Sequence, residues 1–254
     1  MYKIEICANS VTSCLEAQSG GAHRVELCAA IPEGGTTPSY GEIVLAREKL
    51  HIALNVIIRP RAGDFLYSEI EHQTMLRDIE MCRKLGVDGV VFGCLTSGGE
   101  IDTNRNRELI EAASGMSLTF HRAFDMCRNP MESLEKIITL GFDRILTSGG
   151  QPKAEHGIDL LKELTEKAGH RIIIMPGSGI TEDNIAKIAR ATGASEFHLS
   201  ARLPVASAME YRNPTVSMGG KNIEIDEYAF PVTSAERVKK TLENLLTNKK
   251  KSTT

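Results

Sequence analysis

Long apolar runs are missing from this 254-residue sequence, and no stretch approaches the ~20 residues that a membrane-spanning helix needs. The start, Met1-Tyr2-Lys3-Ile4-Glu5-Ile6, enters a strand pattern directly and lacks the apolar core of a signal peptide. Strong charge of one sign is missing as well: the formal net charge is −3. Neither nucleic acid nor an acidic membrane surface is therefore an expected partner. The single basic run, Lys249–Lys251, falls in a tail (248–254) that reads as disordered. The six cysteines form no Cys-x-x-Cys pair, which argues against structural zinc, and there is no Met-x-x-Met. The expectation is a cytoplasmic protein with reduced thiols.

What the sequence does hold is a repeating order of short apolar strands and amphipathic helices. Strand patterns occur at Lys3–Ala8, Arg24–Ala29, Ile52–Arg59, Gly89–Gly93, Leu118–Phe124, Arg144–Ser148, Arg171–Met175 and Glu196–Ala201, and helical patterns follow nearly every one. Asn129-Pro130 is a helix start, and Leu85-Gly86, Leu140-Gly141 and Thr192-Gly193 are helix stops. Eight such units predict an α/β fold of the TIM (β/α)8 barrel type, one domain over 1–247, in preference to a doubly wound open sheet. Leu203–Val232 has no strong period and is expected to be an irregular segment before the last helix.

Alternation assigns the strand faces. Ile4, Ile6 and Ala8, and again Val25, Leu27 and Ala29, suit the helix layer, so Glu5, Cys7, Glu26 and Cys28 point into the barrel. Asn55, Ile57 and Arg59 extend this inward set, as do Thr119, His121, His198 and Ser200. Interior carboxylates must be paired, with Arg59 or Arg61 as the expected partners, and the network could be purely structural. Active sites in this fold gather at the C-terminal ends of the strands, where Cys7, Cys28, Arg59, His121 and Ser200 fall. Cys14, Cys82 and Cys127 read as small core hydrophobes.

Two glycine-rich loops follow strands six and seven: Thr147-Ser148-Gly149-Gly150 and Pro176-Gly177-Ser178-Gly179. Backbone amides there can approach an anion, although tight turns also need glycine. Arg59-Pro60-Arg61 suits carboxylate or phosphate recognition, or else an ion cluster with Asp64.

Several segments together resemble one family, the copper homeostasis protein CutC family. They are Arg24–Ala30 with Glu33-Gly34-Gly35 and Thr37-Pro38-Ser39; Ile58-Arg59-Pro60-Arg61 with Gly63-Asp64-Phe65; Thr119–Asp125 with Met126-Cys127; and Leu146-Thr147-Ser148-Gly149. The resemblance implies a cytoplasmic barrel, a homo-oligomer (dimer or tetramer), copper tolerance and copper binding. It implies no particular reaction.

Two functional readings follow. In the first, Cys7 and Cys28 on neighbouring strands bind Cu(I), which prefers soft thiolates, with His121 as a possible third ligand. In the second, the chain is an enzyme for a small anionic or phosphorylated metabolite. His121, Glu26 or Glu5 then moves protons, while Arg59, Arg61, Ser148, Gly149, Gly177, Ser178, Gly179, His198 and Ser200 hold the substrate. No organic cofactor is expected in either.

Overall fold

The computed structural model describes residues 2–218 and 226–251. Eight strands lie parallel: β1 (Lys3–Ala8), β2 (Arg24–Leu27), β3 (Ala53–Ile57), β4 (Gly89–Phe92), β5 (Ser117–Phe120), β6 (Arg144–Thr147), β7 (Ile173–Pro176) and β8 (Glu196–Leu199). Their order is β7-β6-β5-β4-β3-β2-β1-β8, and a parallel bridge between Gly177 and His198 closes β7 onto β8. The helices are α1 (Val11–Ser19), α2 (Tyr40–Lys49), α3 (Glu69–Lys84), α4 (Thr103–Ala112), α5 (Pro130–Leu140), α6 (Ile158–Ala168), α7 (Ile185–Thr192) and α8 (Ala235–Lys251). This is the TIM barrel that the strand–helix alternation predicts, in a single domain. Among the described residues no helix is long and apolar enough to cross a membrane.

Local chemistry starts the helices where the chain must turn. Ser39 with Glu42, and Ser68 with Glu71, form reciprocal capping boxes at α2 and α3. Asn129 caps α5, with Pro130 at its first position. The main core lies between sheet and helices: Ile4, Ile6, Val25, Leu27, Leu54 and Val56 face Cys14, Ile43, Met75 and Ile79, all buried. Cys14 and Cys82 sit in this layer, as expected of core thiols, and so does Cys94.

The structure departs from the sequence reading in three places. The strands are shorter, so Cys28, Arg59, His121 and Ser200 lie just past their ends. At β5 the cause is local: the His121 ring nitrogen Nδ1 accepts the Ala123 N–H at 3.3 Å and opens a 3-10 turn over Arg122–Met126. The segment expected to be irregular contains an antiparallel hairpin, β9 (Arg202–Ala206) with β10 (Ala229–Thr233). Asn9 Nδ2 donates to Pro231 O at 2.8 Å and Thr233 N to Ser13 Oγ at 3.1 Å, which seats the hairpin at the top of β1 and α1. Finally, α8 runs to Lys251, into the tail expected from 248; the remainder of that tail, 252–254, lies outside the described residues.

Candidate metal and ligand site at the barrel mouth

Barrel interiors are usually layers of branched apolar side chains. Here a chain of alternating charges fills the lower lumen. Glu5 on β1 is fully buried and pairs with Arg24 on β2; Asn55 Nδ2 on β3 donates to the same carboxylate at 3.1 Å. Arg24 also reaches Glu196 on β8 at 2.8 Å, and Arg144 on β6 meets Glu196 at 3.2 Å. Gly89 makes room for Asn55, since a Cβ there would stand 2.3 Å from its Oδ1. The expected partners of the two glutamates, Arg59 and Arg61, are therefore replaced by Arg24 and His198. Arg24 and Glu196 share the inward parity of Glu26 and His198, so alternation carried the signal for both.

One layer higher, His198 stands between two carboxylates, with Nδ1 2.8 Å from Glu5 Oε1 and Nε2 3.4 Å from Glu26 Oε2. Burial alone would lower its pKa, but Glu26, Cys7 and Glu5 outweigh this and hold it well above the usual imidazole value. Burial pushes Glu26 up to about 8, against the pull of His198. For Glu5 burial also acts upward, yet Arg24 and then His198 hold it well below the carboxylate range.

The two thiols meet at the same level. Cys7 Sγ and Cys28 Sγ are 3.9 Å apart, Cys28 buried and Cys7 partly open to the cavity above. The Cys28 thiol, His198 and Arg202 lower the Cys7 pKa, Arg202 Nη2 lying 3.5 Å from its sulfur; Cys28 is correspondingly raised, first by Cys7 and then by burial. Ionisation of the pair is therefore favoured at Cys7 over Cys28. In the strand register Cys7 is opposite Glu26, two residues before Cys28. That offset puts the two Cα atoms about 8 Å apart, beyond normal disulfide reach. Two metal–sulfur bonds of about 2.3 Å opening at a trigonal angle would span about 4 Å, so the pair fits a soft ion better than a covalent bridge. Cys7, Glu26 and His198 each offer a donor atom, all within 4.8 Å of one another.

Above the thiols opens a cavity of about 630 Å3, lined by Cys7, Glu26, Cys28, Arg59, His121, Ser178, Gly179, His198 and Ser200 among others. Most sequence-predicted site residues therefore converge on one chamber. Glu5 lies beneath it, and four others take different parts. Arg61 is engaged elsewhere, with Glu71 at 2.5 Å, Asp64 at 3.1 Å and its guanidinium over Tyr67; this is the ion-cluster alternative, away from the cavity. The amides of Ser148 and Gly150 both donate to Asp125 at 3.1 Å, and Gly149 N donates to Thr147 Oγ1. The anion cradle expected after strand six is thus filled by the protein's own carboxylate. Gly177 serves closure: its N–H goes to Thr147 O, and a Cβ on it would come within 2.4 Å of Leu146. Arg59 lines the cavity, but its guanidinium is largely committed to the Glu33, Gly35 and Gly63 carbonyls. Arg202, one residue into the hairpin, is a cavity residue that sequence reasoning missed, because strand periodicity ends before it.

The CutC family matches residues 2–203. A CutC family protein of Bacteroides fragilis is 61% identical over 245 residues, covering 96% of this chain and 97% of its own length. The chain belongs to the CutC family. The human copper homeostasis protein cutC homolog is 45% identical over 238 residues, covering 94% of this chain and 87% of that protein. Among solved structures, CutC of Streptococcus agalactiae superposes with a TM-score of 0.76 at 38% identity, over 79% of this chain and 99% of that one. The family match includes every lumen residue named above and stops at the start of β9, so α8 and most of the hairpin lie outside it.

Proposed function

We propose that this CutC family member is a cytoplasmic copper-homeostasis protein that binds Cu(I) as cargo between Cys7 and Cys28. The observation that carries the reading is the thiol pair itself, with sulfurs 3.9 Å apart on strands whose register disfavours a disulfide. Soft thiolates select Cu(I). His198 replaces His121 as the candidate third ligand, because it shares the 4.8 Å donor cluster with Cys7; its imidazolium must release a proton as the ion binds. Arg202 and His198 beside the sulfurs offset thiolate charge before the ion arrives. A dithiol site of this kind belongs in a reducing compartment. Assembly into a dimer or tetramer is part of the proposal and is read by light scattering.

The test is anaerobic Cu(I) competition titration. Wild-type protein should hold the ion tightly, and Cys7→Ser with Cys28→Ser should lose it. An unchanged titration in the double variant rejects these ligands.

A second reading, a site for a small anionic metabolite, is favoured by the size of the cavity and by arginines among its lining residues. It does not exclude the first.

A further inference from the structure

The cavity at the barrel mouth contains more than the thiol pair requires. Ile31, Ile57, Phe65, Leu146, Ile180 and Leu199 give it an apolar body. Four arginines line it, Arg59, Arg122, Arg202 and Arg237, against two carboxylates, Glu26 and Asp125. Four buried polar atoms on lining residues find no hydrogen-bond partner: His121 Nε2, Glu26 Oε1, Arg202 Nε and Arg59 Nε. The Arg59 guanidinium stacks on Phe65, 5.2 Å from the ring centroid, and its other nitrogens hold loop carbonyls. His121 also packs on Phe65, ring centroids 4.8 Å apart, and Arg202 Nη2 reaches Cys7 Sγ at 3.5 Å, but His121 Nε2, Arg202 Nε and Glu26 Oε1 themselves hold no hydrogen bond, and buried polar groups in folded proteins are normally satisfied.

Their chemistry is specific. His121 Nδ1 accepts from Ala123 N–H, so the proton of the neutral ring sits on Nε2, and that atom is a donor. Burial, and then Arg59, push the His121 pKa down to about 3, so the ring stays neutral at ordinary pH. Arg202 Nε is a second donor, and it carries charge. Glu26 Oε1 is an oxygen able to accept from a hydroxyl.

We propose that this cavity binds a small hydroxycarboxylate with an apolar tail, its oxygens accepting from Arg202 and His121 and its hydroxyl donating to Glu26. The inference deepens the anionic-metabolite reading and does not require bound copper, although Glu26 and Arg202 also adjoin the thiol pair. The apolar wall takes the tail, and the arginines offset the cost of desolvating the carboxylate.

Calorimetric titration of the copper-free full chain with mandelate and phenyllactate tests it. Hydrocinnamate lacks the hydroxyl, methyl mandelate lacks the charge, and inorganic phosphate lacks the tail. Saturable binding of the two hydroxy acids is expected, weakened about tenfold when the hydroxyl or the charge is absent. His121→Phe and Arg202→Met should each weaken binding by about the same factor, and His121→Gln, which retains an N–H donor, should recover part of it. No saturable binding of either hydroxy acid overturns the proposal. Equal binding of the ester or of phosphate does so too, as does unchanged affinity in folded His121→Phe and Arg202→Met. If His121→Phe fails to fold, the ligand series and Arg202→Met decide. Cys7→Ser with Cys28→Ser should lose Cu(I) while keeping the preference for hydroxy acids over the ester and phosphate, even where loss of the Arg202–Cys7 contact changes their absolute affinity, so the two readings can fail separately.

Discussion

Glu5 Oε1 and His198 Nδ1 stand 2.8 Å apart across the β1–β8 pair, where their Cα atoms are register partners. The carboxylate is shared further with Arg24 and Asn55. Replacing Glu5 by Gln keeps the shape and removes the charge, leaving Arg24 with only Glu196 and His198 with only Glu26. The expected loss is about 3–5 kcal/mol, as for other broken buried ion pairs, measured by urea denaturation at neutral pH. A loss below about 0.5 kcal/mol, typical of ordinary surface changes, would show that the lumen charges are not mutually supporting.

Glu26 gives the protein a pH dependence of definite sign. Its folded pKa, raised to about 8 by burial, exceeds the ordinary carboxylate value of 4.5. Between these two values the folded state holds the Glu26 proton and the unfolded state does not, so this group's contribution falls as pH rises through that window. Glu26→Gln should flatten the stability profile between about pH 4.5 and 8 and raise stability at the upper end, on the order of a few kcal/mol at most. His198, raised in the folded state, acts with the same sign: its contribution is complete below about 6.5, its unfolded value, and is lost as pH rises through the higher folded one. Because Glu26 is the largest influence raising His198, Glu26→Gln weakens both contributions, and denaturation midpoints across this range, wild type against variant, read their sum.

The thiols differ in reactivity by position. Cys7 is partly exposed and its pKa is lowered by the Cys28 thiol, His198 and Arg202. Cys14, Cys82 and Cys94 are buried, and burial pushes each up to about 12. Iodoacetamide at neutral pH should modify Cys7 well before these three, because the thiolate is the nucleophile. Peptide mass spectrometry over a time course reads this directly. Cu(I) bound at the proposed site should protect Cys7.

Asp125 organises the loop after β6. It accepts from Ser148 N, Ser148 Oγ, Gly150 N and Thr147 Oγ1, and pairs with Arg122 at 2.7 Å. Asp125→Asn removes the charge and one acceptor, with an expected cost of about 1–3 kcal/mol. Hydrogen exchange should accelerate at the amides of Ser148 and Gly150 first, while those of the β6 strand stay protected.

Much of this architecture was legible in order and alternation. Eight apolar strands with capped helices between them identify the barrel, and parity alone turns Glu5, Cys7, Glu26 and Cys28 inward. Arg59 and Arg61 show the limit of that reasoning. They are two residues apart in one loop, yet Arg59 lines the cavity and Arg61 joins a surface ion cluster with Glu71. Past the strand end, backbone direction depends on which carbonyls capture each guanidinium, and periodicity says nothing about that. The loop after β6 had the composition of an anion site, but a carboxylate from the loop after β5 folds into it.

The sequence by itself determined the fold and the inward faces of strands one, two, three, five and eight, because both follow from chain-local periodicity. Which inward residues meet was decided only in three dimensions. Glu5 and His198 are 193 positions apart, and their contact exists because β8 returns beside β1 when the barrel closes. Closure sets the register between strands, and register decides whether two buried charges become a pair and whether two thiols come close enough to share an ion.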